Sequence, residues 1–213
     1  MLVYDLEIVN AIPPNGRPGS ASDLFYDFYD GRLGGISYCG GWEDYGRMGI
    51  AVICAYDYGT DAFRVFCNDN LYEFQNLVDG HDVVAGFNIV HFDNRVCREN
   101  GIVIGPDRSY DLLCEIWAGL GMGPEFVPDT HCGYGLDACG RANELRLAKN
   151  GRGDRAPVMW QCGQIGSVID YCMRDVWLTK QLIDRVLAEG RLRNPRRPES
   201  FINVRKPGGV CDE

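Results

Sequence analysis

The stretch LVYDLEIV, residues 2–9, constrains this chain more than any other. Its β-branched and apolar residues predict a buried strand that opens the domain. Asp5 and Glu7 interrupt it two residues apart, so both carboxylates leave the same face of the strand. Enclosing two anions among Leu2, Val3, Leu6, Ile8 and Val9 is costly unless positive charge sits against them. The pair is either a charge pair on an edge strand or, with further carboxylates brought beside it, one that asks for a cation, and carboxylate oxygens select hard ions such as Mg²⁺ or Mn²⁺.

The rest of the chain supplies a layered frame for that strand. Residues 10–47 break the pattern with glycine, proline, aspartate and aromatics, as in PPNGRPG, DLFYDFYDGRLGG and YCGGWEDYG. A connection of this length inside a domain is usually functional or partly disordered. IAVICAYDY and DAFRVF then predict a hairpin of two strands, and LYEFQNLVDG a short helix ending at glycine. HDVVAGFN reads as the next strand and HFDNRVCRENG as the next helix. Residues 109–117 pass from strand to helix, 135–147 look helical, and 152–157 read as a loop. Apolar spacing from Ile165 to Leu187 predicts a long amphipathic helix. The expectation is an α/β fold with one mixed sheet flanked by helices, spanning residues 1–190, followed by a basic, Pro/Gly-rich tail at 191–213.

Composition narrows the function. The net charge of −9 argues against a broad basic face that wraps duplex nucleic acid. It leaves room for a strand end drawn into a cation-filled cleft. No apolar run reaches the length of a membrane span, and the acidic start MLVYDLEIVN lacks the basic region of a signal peptide. Ten cysteines form no CxxC pair, and His131, Cys132 and Cys139 match no familiar zinc spacing. Reduced, structural thiols in a cytoplasmic compartment are the expectation.

Two further acidic patterns join the first. Asp93 follows Phe92 where a predicted strand gives way to a helix, and Tyr171 and Asp175 share one face of the long helix. Each alone has a plain structural reading: Asp93 as a helix cap, Asp175 as a solvated helix residue. Together, YDLE, GFNIVHFD and YCMRD occur in the order of the three motifs of the DnaQ-like (DEDD) 3′–5′ exonucleases, which the chain resembles over about residues 2–187. The family has the ribonuclease H-like fold. Its members carry a histidine five residues before the last aspartate or a tyrosine four before it. Here those slots hold Asp170 and Tyr171, so the chain resembles the tyrosine (DEDDy) subtype. GGW and DYGRMGIAV add a softer likeness to exonucleases related to family B DNA polymerases.

The resemblance implies two divalent ions, Mg²⁺ or Mn²⁺, bound by Asp5, Glu7, Asp93 and Asp175, with Tyr171 orienting a water. It implies release of nucleoside 5′-monophosphates from the 3′ end of a single strand. DNA is the expected substrate; RNA, or a non-catalytic nucleic-acid-binding module of the same fold, stays open, as does a replication or repair partner. Candidate substrate contacts are Asn88, His91, Tyr38, Trp42 and Lys149, with the aromatics of the 10–47 insertion offered as stacking faces. Asp111 either faces the cleft or caps the helix that follows it.

Overall fold

The computed structural model describes residues 1–13, 35–145 and 153–208. Lys149 and much of the insertion, including Phe25, Tyr26, Phe28 and Tyr29, lie outside them. A five-stranded sheet in the order β3-β2-β1-β4-β5 organises the molecule. β1 (Leu2–Ile8) is antiparallel to β2 (Ile50–Asp57), which is antiparallel to β3 (Ala62–Phe66). β4 (Val84–Gly86) runs parallel to β1, and β5 (Ser109–Asp111) parallel to β4. The result is the mixed sheet flanked by helices expected of a ribonuclease H-like fold.

Alternation along β1 sorts its side chains between two cores. Leu2, Tyr4, Leu6 and Ile8 face α2 (Tyr72–Asp79) and α3 (Asp93–Glu99), meeting Phe74, Val78, Val96 and Cys97. Val3 points the other way, with Val52, Cys54 and Tyr56 of β2, onto α8 (Ile165–Glu189) through Val168, Cys172, Val176 and Ile183. Asp5 and Glu7 share the parity of Val3, and pair across the sheet with Cys54 and Val52. The strand therefore aims both carboxylates at the long helix.

Around this frame lie α1 (Tyr45–Met48), α4 (Leu112–Gly119), α5 (Pro128–His131), α6 (Leu136–Ala142) and α7 (Ala156–Gln161). Two segments differ from the sequence expectation. Residues 152–157 read as a loop, yet a 3-10 turn at Gly153–Arg155 leads into α7, with Pro157 in its first turn. Proline is favoured there because the first helical N–H groups need no intrahelical partner. The expected C-terminal tail is instead a hairpin, β6 (Arg191–Asn194) and β7 (Arg197–Asn203). Leu192, Ile202 and Val204 are buried on the main core, so the hairpin belongs to the domain. It packs so closely on α4 that a Cβ on Gly119 would stand 2.0 Å from the Asn203 carbonyl oxygen.

All nine described cysteines are free thiols. His131 is engaged by Thr130 and the Gly123 carbonyl. No described helix is long and apolar enough to cross a membrane.

At the end of β2 remote from the carboxylates, buried Asp57 accepts from Thr60 Oγ1 and the Gly59 N–H, both at 2.8 Å, and meets His81 Nε2 at 2.9 Å. Burial alone would raise its pKa, but these hydrogen bonds prevail and lower it to about 2. The ionised form is thus favoured by folding. Asp57 contributes stability above the ordinary carboxylate range that is lost as pH falls towards about 2. Asp57→Ala is expected to cost about 3 kcal/mol at neutral pH, because His81 and the turn lose their acceptor. Urea unfolding of the variant at neutral and acidic pH checks both the cost and its sign.

Candidate active site

The short length of β4 creates the site. It pairs with β1 only at Leu2 and Val3, so the second half of β1 has an open edge on that side. The chain leaves β4 through Gly86, where a Cβ would lie 2.8 Å from the Tyr4 carbonyl oxygen and 2.2 Å from Ile89. Only glycine fits this approach. Asn88 then takes a left-handed conformation, φ 66°. The turn delivers Asp93 to the start of α3, where its Oδ1 accepts from the Leu6 N–H at 3.2 Å. Asp93 thereby occupies the open edge of β1, next to Asp5 and Glu7.

α8 closes the other side. Cys172 Sγ donates to the Asp5 carbonyl oxygen at 3.3 Å and fixes the helix against β1. Tyr171 and Asp175, one turn apart, flank that contact, and the Tyr171 hydroxyl is hydrogen-bonded to Asp175. A Cβ on Gly153 would stand 3.3 Å from the Tyr171 hydroxyl oxygen, so the approach to α7 borders the same place.

The electrostatics follow from this crowding. Glu7 and Asp93 are buried, while Asp5 keeps partial access. Burial, then the charges of Asp93, Asp175 and Glu7, push Asp5 well above the usual carboxylate range. Burial, then Asp175 and Asp93, do the same to Glu7. Asp93 rises to about 8, mainly through burial and against the N–H bonds it accepts, with Asp111 and Asp175 adding to the rise. Tyr171 is driven far above its ordinary value by burial and by Asp175, Glu7 and Asp5.

Four mutually repelling carboxylates of this kind fit divalent cations in donor type and in charge. Among the described residues no three acidic, His or Cys side chains already stand in ligating geometry. The fit is therefore one of chemistry and burial rather than of a preassembled cage.

The other candidates separate. Tyr38 packs on the cluster of Ala11, Ile36 and Val158. His91 lies 3.6 Å from Cys114 Sγ, with its ring 6.2 Å from that of Trp117, on the α4 side of the loop. Asn88 donates its backbone N–H to Asp111. Trp42 is 49% exposed and meets Phe92 edge-on at 6.4 Å, beside Asp93 in sequence. Tyr45 meets the same Phe92 ring.

Asp111 turns out to be the clamp of the second motif. It accepts from the Asn88 and Val90 N–H groups at 2.9 Å and caps α4 through Leu113 and Cys114. Asp111→Ala should cost about 2 kcal/mol or more from the lost cap and orphaned N–H groups. Hydrogen exchange should show the 87–92 turn opening with it. Protection there equal to the parent protein would contradict the clamp. Gly86 and Gly153 escaped sequence reasoning as well; only a glycine directly after an apolar strand hinted at the first.

No protein-family model matches the chain, and no curated protein sequence matches it. Among solved structures, it is similar to the family B DNA polymerase from the hyperthermophilic archaeon Pyrobaculum calidifontis, with a TM-score of 0.52 and 15% identity. The match covers 87% of this chain and 24% of that one, so the chain spans about a quarter of the polymerase's length. At this identity the likeness is one of fold. The molecule is thus an α/β domain with a mixed five-stranded sheet and a cluster of buried and half-buried carboxylates at the open edge of its central strand.

Proposed function

We propose that this protein is a metal-dependent 3′–5′ exonuclease of the tyrosine (DEDDy) subtype that acts on single-stranded DNA. The convergence of Asp5 and Glu7, Asp93 and Asp175, each from a different motif, carries the reading. The fold of the polymerase neighbour supports it, since the resembled subtype includes polymerase proofreading domains. Two divalent cations, Mg²⁺ or Mn²⁺, would supply the charge that clamps attacking and leaving oxygens during in-line displacement at phosphorus.

Asp5 from the middle of β1, Glu7 and Asp175 on the side of α8, and Asp93 at the open edge of the strand are the residues that would hold these cations. Tyr171 stays protonated, because burial and its acidic neighbours oppose its ionisation. It cannot serve as a general base. With its proton directed to Asp175, its oxygen is available to accept from a water and hold it in line. Trp42, backed by Phe92 next to Asp93, offers an aromatic face to a terminal base; such stacking contributes about 1–3 kcal/mol.

The test incubates the protein with single-stranded DNA and RNA oligomers in Mg²⁺ or Mn²⁺ and identifies the products by chromatography. Nucleoside 5′-monophosphates from DNA are expected. Release from RNA alone would transfer the reading to a ribonuclease, and no product with either ion would overturn it.

A further inference from the structure

Positive charge is concentrated where the sequence suggested a tail. Between Arg191 and Lys206 stand six basic residues and one acidic residue in a chain of net −9. Arg191 is paired with Glu189 and Arg205 with Glu115, which leaves the charge of Arg193, Arg196 and Arg197 at the turn. The hairpin they form is pinned rather than loose. The buried Asn143, at the end of α6, exchanges two hydrogen bonds with the Arg193 backbone, at 2.9 and 3.4 Å. Between α6 and the hairpin runs an open groove of 440 Å³ lined by Arg141, Glu144, Arg193, Pro195 and Pro198. Arg197 is exposed at the same turn.

Arg193 and Arg196 are each held by a ring and a backbone carbonyl. The Arg193 guanidinium lies 5.2 Å from the centre of the Phe201 ring and donates to the Pro198 carbonyl oxygen. Arg196 sits over Tyr134 and donates to the Thr130 carbonyl oxygen. Stacking on a ring and bonding to a carbonyl fix a guanidinium without neutralising it. Less side-chain freedom is then lost when a phosphate binds. Proximity to the acidic cleft is also built in. Gly140 of α6 abuts Leu178 of α8, where a Cβ would stand 2.9 Å from that side chain. Leu178 lies less than one turn beyond Asp175, and packed helix axes stand about 8–10 Å apart. The chain leaving α6 returns at Gly153 beside Tyr171.

We propose that this groove binds the phosphodiester backbone of the substrate strand upstream of its 3′ end. Crossing from α8 to α6 takes one helix spacing of about 8–10 Å, which at about 3.4 Å per stacked nucleotide is about three nucleotides before the groove begins. The inference rests on the exonuclease reading and extends it. It makes the hairpin the element that favours long strands over short ones. The remaining surface, on which acidic groups prevail, repels the strand elsewhere and so directs it to this path.

The test uses the full chain and the double variant R141A/R197A, both positions being exposed. Fluorescein-labelled oligo-dT of about twenty and about four nucleotides is titrated in EDTA over a range of salt. The variant is expected to bind the long oligomer about tenfold more weakly, with the log–log salt slope reduced by about 0.7 for each lost phosphate contact. Affinity for the short oligomer, and its turnover in Mn²⁺, should stay as in the parent protein. An unchanged slope with the long oligomer would overturn the proposal, as would equal losses at both lengths. Capture of an acidic protein by the groove with unaltered oligomer binding would overturn it too. Tight, slope-sensitive binding with no hydrolysis in Mn²⁺ would instead remove the exonuclease reading and leave the groove intact.

Discussion

Asp175→Asn is expected to abolish turnover, by about 10³-fold or more, because a bound metal contributes several kcal/mol to charge stabilisation. The amide keeps the size of the side chain and the helix around it. It removes the negative charge that would hold a cation and against which the Tyr171 hydroxyl donates. Tyr171→Phe, one turn away on α8, is the matched control. Loss of an oriented water should lower turnover by about 10²–10⁴-fold, while the carboxylates that hold the ion remain. Calorimetric titration with Mn²⁺ separates the two, since weakened binding is expected for Asp175→Asn alone. Equal weakening in both variants would point to a general disturbance of α8, and normal activity in Asp175→Asn would remove it from the site.

A second large effect is expected in the coupling of stability, pH and divalent cation. Asp93 titrates near 3.8 when unfolded and at about 8 in the folded protein. Across that window the folded state binds more protons than the unfolded state, so stability falls as pH rises. Asp5 and Glu7 shift in the same direction and add to the slope. Without divalent cation, the melting temperature should therefore decrease from about pH 5 to about pH 8. Mn²⁺ should restore it at the upper end and do little at the lower end, where the ion must displace protons from its ligands. Thermal melts at both pH values, with and without Mn²⁺, test this. Stabilisation by Mn²⁺ that is equal at both would contradict a carboxylate site.

The elements that carry the carboxylates were legible because each leaves a period or a junction. β1 alternates, α8 repeats every third or fourth residue, and GFNIVHFD marks a strand turning into a helix. What escaped depends on partners far along the chain. The Asp111 carboxylate grips a backbone N–H group 23 residues before it, and nothing near Asp111 distinguishes that from an ordinary cap. The hairpin was hidden by its charge. Arginines and prolines at positions 191–198 read as part of a basic tail, although Leu192 and Ile202 supply the inward face. The aromatics of the insertion show a further reason: Tyr38 packs while Trp42 stays exposed, and composition cannot distinguish a ring that fills a core from one that awaits a base.

The most direct measurement compares a 5′-labelled linear single strand with a circular one of the same sequence, in Mn²⁺ and in EDTA. A 3′ exonuclease shortens the linear strand one nucleotide at a time from its 3′ end, leaves the circle intact, and is silent in EDTA. Cleavage of the circle, loss of the label as a mononucleotide from the 5′ end, or hydrolysis that persists in EDTA would contradict it.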